Sequence, residues 1–290
     1  MEKVKQMKHS KTGISCGNRD YGCRCPPKIL RLFIAKVKNI SANEVMFGMD
    51  ELRFSSAELE QLEDFIARYE SHEPISKILN RREFWNSEFF VNADVLDPRP
   101  ETEIIIERTL EIFAKDQAFD FLDIGTGSGC ILLSIAKEFP KSRGIGIDIS
   151  EKAVKVALKN KSDLCVENAE IKNVGWDNFC PQKKFDLIVS NPPYIKSADI
   201  FGLDDSVKNF DPHLALDGGR DGLDAYTQLS ELTRNWLKPG GKILLEIGFD
   251  QHDDVKNIFE SKGFFLANVH LDFQKIRRVL ELQFLTKPID

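Results

Sequence analysis

Apolar positions along the chain change period near residue 81, and the change separates two kinds of structure. Between Ile29 and Asn80 they recur at three- and four-residue spacing. Leu59, Leu62, Phe65, Ile66 and Tyr69 trace one face of a helix. Ser41-Ala42-Asn43-Glu44 and Ser55-Ser56-Ala57-Glu58 are capping boxes, in which a hydroxyl and a carboxylate satisfy the free N–H groups of a helix start. A small helical bundle is therefore predicted over residues 29–80. It carries neither a nucleophile–base pair nor a glycine loop, so the role open to it is recognition. After a hairpin linker over residues 81–100, rich in aromatics (Phe84, Trp85, Phe89, Phe90), short apolar runs alternate with helical ones. Strands are predicted over residues 119–124, 144–149, 169–174, 185–190, 241–247, 264–269 and 279–284. Helices are predicted over residues 104–114, 130–138, 151–160, 225–237 and 253–261. Alternation of this kind implies an α/β domain over residues 101–290, an open and mainly parallel sheet with helices on both faces. The last two strands follow each other without a helix, which predicts an antiparallel strand at one edge. Residues 1–28, polar and broken by Gly13, Gly17, Gly22 and Pro26-Pro27, read as a flexible tail.

Composition narrows the class. With 290 residues, 42% hydrophobic and 30% charged, the chain can bury a large core plus a smaller one. A net charge of -6 disfavours a dedicated nucleic-acid binder, and no apolar run approaches the about 20 residues that span a bilayer. The N-terminus lacks the apolar core of a secretory signal, so the cytoplasm is expected. Cys130, Cys165 and Cys180 lie in or beside apolar elements and are expected as reduced core residues. Cys16, Cys23 and Cys25 cluster near His9, but without paired Cys-x-x-Cys spacing no metal is expected there.

Two stretches carry chemistry. Asp123-Ile124-Gly125-Thr126-Gly127-Ser128-Gly129 joins a predicted strand to a predicted helix, and Asp148 ends the next strand. Glycines there let backbone N–H groups approach a ligand, and an acid at the following strand end suits the two hydroxyls of a ribose. The spacing is Gly-x-Gly-x-Gly, distinct from the dinucleotide fingerprint. The second stretch, Ser190-Asn191-Pro192-Pro193-Tyr194, follows the buried run Phe185-Asp186-Leu187-Ile188-Val189. Two prolines stiffen it and leave carbonyls bare. The amide oxygen of Asn191 and the carbonyl of Pro192 can each accept one hydrogen of an NH2 group, while Tyr194 covers its face. Either stretch alone reads as an ordinary turn; together they do not.

The combination resembles the class I S-adenosylmethionine-dependent methyltransferases. That resemblance implies a Rossmann-like seven-stranded sheet and a cofactor site made of Asp123, Gly125, Thr126, Gly127, Gly129, Asp148, Ile149, Trp176 and Asn191. Gly175 stands where an acidic residue is usual, and Asp177 is the substitute. Asn-Pro-Pro-Tyr is shared by methyltransferases of adenine, of guanine amines and of protein glutamine. Arg82-Glu83-Phe84-Trp85, Pro98-Arg99-Pro100-Glu101-Thr102-Glu103, Asp211-Pro212-His213-Leu214-Ala215-Leu216-Asp217-Gly218-Gly219 and Asp221-Gly222-Leu223 resemble the HemK/PrmC-type glutamine methyltransferases. Asp97 and Asp211 depart from that family's usual residues. The resemblance, from about Ile29 to the C-terminus, implies methylation of the Gln in the Gly-Gly-Gln loop of class 1 release factors; the chemistry needs no metal, and a monomer is expected. Asn191, Pro192 and Tyr194 are the expected catalytic residues; Pro193, Arg99 and Phe90 join them on the substrate side. A ribosomal-protein glutamine methyltransferase, a nucleic-acid amine methyltransferase and an inactive binding module are the alternatives.

Overall fold

The chain divides where the period changes: in the computed structural model, contacts cluster within Met1–Asn80 and within Arg81–Asp290. The structure describes residues 5–10, 13–16, 19–20 and 24–284.

In the first unit the region read as a flexible tail holds three short strands, β1 (Lys5–Ser10), β2 (Gly13–Cys16) and β3 (Arg19–Asp20). Antiparallel ladders pair backbone groups whatever the side chains, and β1 finds a second partner in β4 (Arg53–Phe54). Polar composition concealed this. Helix α1 (Pro27–Lys38) starts on a proline whose missing N–H is no loss at that position, and α2 (Ala42–Gly48) and α3 (Ser56–Glu70) begin at the two capping boxes. Ser41 and Ser55 Oγ accept from Glu44 and Glu58 N at 3.1 and 3.2 Å, and each carboxylate accepts back from the serine N–H at 2.8 Å. With α4 (Ile75–Leu79) these helices enclose Leu30, Phe33, Ile34, Leu62 and Ile66. Cys25 is buried, which pushes its thiol up to about 11. The side chains of His9, Cys16 and Cys23 lie outside the described residues.

The second unit opens with a hairpin of β5 (Arg82–Phe84) and β6 (Ser87–Phe89), then a short 3-10 turn over Pro100–Thr102 leading into α5 (Glu103–Ile112). There follow β7 (Asp120–Ile124), α6 (Cys130–Glu138), β8 (Arg143–Asp148), α7 (Glu151–Asp163), β9 (Ala169–Asn173) and β10 (Phe185–Ser190). Two short helices, α8 (Asp205–Lys208) and α9 (His213–Leu216), precede α10 (Asp224–Trp236), β11 (Leu237–Glu246), α11 (His252–Glu260), β12 (Phe264–Leu271) and β13 (Arg277–Phe284). The seven strands stand in the order β12-β13-β11-β10-β7-β8-β9. Alternate residues of β7 feed opposite faces: Phe121 packs with Leu133 and Leu187 on one, Leu122 with Ile188 and Tyr226 on the other.

One expectation needs correcting. The antiparallel strand is β13, which pairs with both β11 and β12 and so lies one position in from the edge. Val279, Leu280 and Leu282 of β13 are fully buried, whereas most of β12 is half-buried or exposed, and the more apolar strand takes the inner place. Cys165 and Cys180 are also exposed, not core: Cys165 follows the end of α7 in a left-handed conformation, and the neighbouring Phe179 fills the buried position beside Cys180.

From β7 the chain winds outward through β8 and β9, then returns to lay β10 on the other side of β7. Loops leaving the C-terminal ends of β7 and β10 therefore diverge and leave a crevice, the position where open α/β sheets bind ligands.

Candidate active site

Both chemical stretches of the sequence arrive at this crevice. A cavity of about 680 Å³ is lined by Gly125, Thr126, Gly127, Asp148, Ile149 and Trp176 from one side and by Thr102, Asn191, Pro193, Leu214 and Asp217 from the other. On the first side the backbone turns sharply through Gly125 (φ 71°) and Gly127 (φ 56°), conformations that a side chain resists. The Asp148 carboxylate is fixed by the loop it faces: Oδ2 accepts from Gly127 N at 2.9 Å and Oδ1 from Ser150 N at 2.8 Å. Burial raises its pKa. Asp123 lies wholly buried beneath the loop. Its Oδ2 accepts from Thr126 Oγ1 (2.6 Å) and Leu132 N (3.2 Å), while Oδ1 has no hydrogen-bond partner. Burial pushes this carboxyl up to about 7. Asp123 itself does not line the cavity, whose wall here is Gly125, Thr126 and Gly127; its Oδ1 is a buried acceptor left without a donor behind that wall.

Trp176 reaches the cavity with its indole N–H donated to Gln228 Oε1 at 2.9 Å. At Gly175 the mobile end of the Asp177 side chain lies 2.6 Å from where a Cβ would stand, but Asp177, expected as the acidic substitute, does not line the cavity. Gly129 caps the start of α6 and Pro192 is buried within its loop; neither lines the cavity.

The Asn-Pro-Pro-Tyr loop is braced by the segment the sequence marked as 211–219. Ile195 N donates to Leu216 O at 3.0 Å and Gly218 N to Ile195 O at 2.8 Å; a Cβ on Gly218 would meet Tyr194 Cα at 2.8 Å. Without that glycine the two segments could not close. Tyr194 does not line the cavity. Its ring packs into the apolar core, and its hydroxyl lies 3.5 Å from Glu246 Oε1. Arg99 and Phe90 also lie outside the cavity lining. Arg99 Nη2 pairs with Asp211 Oδ2 at 2.9 Å, and Phe90 exchanges main-chain hydrogen bonds with the Asn160 amide. The two residues that depart from the family pattern meet each other here, Asp97 N donating to Asp211 Oδ1 at 3.2 Å.

Sequence reasoning missed Glu246 and Thr102. Glu246 is 2% exposed, accepts from Thr102 Oγ1 through Oε2 at 2.6 Å, and is pushed up to about 7 by burial. Asn191 Nδ2 in turn donates to Thr102 Oγ1 at 3.3 Å. A signal was present: an acid closing the apolar run Ile243-Leu244-Leu245, at the same end of the sheet as Asp148 and Asn191.

Sheet order, glycine loop and crevice define a class I S-adenosylmethionine-dependent methyltransferase. A family model described as a methyltransferase domain matches residues 115–281. The chain is 40% identical to the release factor glutamine methyltransferase of Caulobacter vibrioides, over 84% of this chain and 85% of that protein. It is equally identical (40%) to the one from Rhodospirillum rubrum, over 89% of this chain and 79% of that protein. A methyltransferase structure from Pyrococcus furiosus superposes with a TM-score of 0.52, covering 77% of this chain and 100% of that one at 19% identity, a likeness of fold alone. The chain belongs to the release factor glutamine methyltransferase family.

Proposed function

We infer that the chain transfers the methyl group of S-adenosylmethionine to the side-chain amide nitrogen of the Gln in the Gly-Gly-Gln loop of class 1 peptide-chain release factors. Besides family membership, the observation that carries this reading is Asn191. Its amide nitrogen is turned to Thr102, so its oxygen is left to accept a hydrogen from an amide NH2 in the cavity. S-adenosylmethionine supplies a methyl group already activated on a cationic sulfur. Asp123, with Gly125, Thr126, Gly127 and Gly129, would hold its amino end, Asp148 and Ile149 the ribose, and Trp176 the adenine. Asn191 and the Pro192 carbonyl would then hold the amide NH2 in line with the methyl–sulfur bond. An amide nitrogen is a poor nucleophile because its lone pair is delocalised. Acceptors on both its hydrogens favour attack and steady the charge that develops on it. Transfer would form the carbon–nitrogen bond as the methyl–sulfur bond breaks with its electrons on sulfur, and the proton leaving the nitrogen would pass to solvent water. Pro193 and Tyr194 stiffen this loop, while Arg99 and Phe90 act on the substrate side through the segments they brace.

The helical unit, residues 29–80, is proposed to recognise the release factor, with 81–100 as linker and 101–290 as the catalytic domain. We propose further that the enzyme works in the cytoplasm as a monomer, and the net charge of -6 speaks against dedicated nucleic-acid binding. No helix among the described residues is long and apolar enough to cross a membrane. The test is transfer of labelled methyl to a purified class 1 release factor, beside the same factor with its loop Gln changed to Ala. Label on the first alone is expected. Label on neither, with a large-subunit ribosomal protein labelled instead, overturns the reading.

A further inference from the structure

Behind Asn191 a chain of hydrogen bonds runs from Thr102, in the cavity wall, to the buried carboxylate of Glu246. Glu246 closes β11 with its carboxylate buried, Thr102 closes the turn before α5, and Asn191 follows β10. The three meet only in the folded unit: Thr102 Oγ1 to Glu246 Oε2 at 2.6 Å, and Asn191 Nδ2 to Thr102 Oγ1 at 3.3 Å. A carboxylate can only accept, and a threonine hydroxyl has one proton and two lone pairs. The single proton of Thr102 is therefore committed to Glu246, and what Thr102 offers to Asn191 is a lone pair. An amide facing a lone pair must present its NH2, which leaves its oxygen for the cavity.

We propose that Glu246 and Thr102 are positioning residues that set the hydrogen-bond sense of Asn191, keeping its oxygen turned to the substrate amide. The proposal rests on the reading of Asn191 as the acceptor for that amide. Were the sense reversed, the Asn191 NH2 would face the NH2 of the substrate, two donors with no acceptor between them. A neutral Glu246 would allow this, because its own O–H can donate to Thr102 and free the threonine proton to turn toward Asn191. Burial places that change near neutrality, the Glu246 carboxyl being pushed up to about 7. The groups facing Glu246 are Tyr194, Glu101, Arg278, Tyr226 (whose hydroxyl donates to the Glu246 main-chain oxygen at 2.9 Å) and Cys130. Of these, Glu101 raises the pKa, and Arg278 and the Tyr194 hydrogen bond lower it.

Two measurements on the full chain test this. The first is kinetic, with release factor as substrate. Thr102→Val, which keeps the shape and removes the hydroxyl, should lower kcat by about 10- to 100-fold. Affinity for S-adenosylmethionine should stay within about 3-fold, and Thr102→Ser should recover most of the lost kcat. In the wild type kcat should rise with pH through Glu246's titration, and Glu246→Gln should flatten that limb. Thr102→Val with unchanged kcat, Thr102→Ser as poor as Thr102→Val, or cofactor affinity falling in step with kcat would each overturn the proposal. The second is independent of any substrate. The side-chain NH2 signals of Asn191 in the nitrogen-15 spectrum, assigned by their loss in Asn191→Asp, should shift between about pH 5.5 and 8.5 in the wild type and stay still in Thr102→Val. Signals that ignore pH in the wild type, or titrate alike in the variant, defeat the relay. If release factor is not methylated at all, the functional reading fails, and this spectrum still decides the relay.

Discussion

Two carboxylates lie buried at the C-terminal ends of the strands that flank β10, and they are treated differently. Asp123 on β7 is 0% exposed and Glu246 on β11 is 2% exposed; burial pushes each up to about 7. Asp123 leaves one oxygen without a partner, whereas Glu246 has Thr102 on one oxygen and Tyr194 near the other. On the proposed reading, the acid completed by its own fold orients its neighbours and the acid with a spare oxygen is completed by what binds. The β7 side of the crevice would then receive charge, and the β10–β11 side would hold a neutral group at a set angle.

The largest expected effect separates those two jobs. Asn191→Ala removes the acceptor from the β10 side and should lower kcat by about 100- to 1000-fold, the scale seen when one preorganised partner of a reacting group is lost. Calorimetric affinity for S-adenosylmethionine should stay within about 3-fold. Equal losses in both would mean that Asn191 belongs to the cofactor side, and the division would collapse. Next in size is the converse change. Asp123→Asn should weaken cofactor binding by ~1.5–3 kcal/mol, the worth of a hydrogen bond to a charged group, or about 10- to 100-fold. At saturating cofactor its kcat should be close to wild type. A kcat defect that saturation does not cure would show that Asp123 acts on the reaction itself.

How much of this was legible beforehand follows the range of the forces involved. Ser41 and Ser55 cap helices through partners three residues away, so a four-residue pattern suffices to find them. The glycine loop, Asp148 and Asn191 sit at strand ends, where a change of period marks the place. Glu246 and Thr102 differ in kind. Their partner is each other across 144 residues, and neither breaks a local rule strongly enough to be noticed. The same holds for Tyr194. It was expected over the substrate because its ring follows the prolines, but a phenol near the core turns its hydroxyl toward a buried acceptor, and Glu246 provides one. The placement of β13 inside β12 was also out of reach of connectivity alone; it follows from comparing how apolar the two strands are. The strands before Ile29 lie in a polar stretch, where side-chain pattern carries no signal and only backbone pairing acts.

The smallest effect concerns stability and probes the unfinished acid alone. Asp123 has an ordinary pKa of 3.8 when unfolded and about 7 when folded. Between those values the folded chain holds a proton that the unfolded chain has lost, so rising pH removes stability, and the loss is complete above the folded pKa. Glu246, raised from 4.5 to about 7, acts in the same direction. Carboxylates shifted downward, such as Glu281 at about 2, act oppositely, but their window closes below the unfolded value of 4.5. The melting temperature of the ligand-free enzyme should therefore fall between about pH 5 and 8, and Asp123→Asn should remove part of that slope. Expected is a variant that melts with the wild type near pH 5 and above it near pH 8 by on the order of 1–2 kcal/mol, about 2–8 °C for a domain of this size. Saturating S-adenosylmethionine should flatten the wild-type slope as well, because a cation beside Asp123 restores the ionised form. A gap that does not change with pH would mean the effect of Asn is packing and not charge. A wild-type slope untouched by cofactor would mean that the free oxygen of Asp123 is not where the amino group binds.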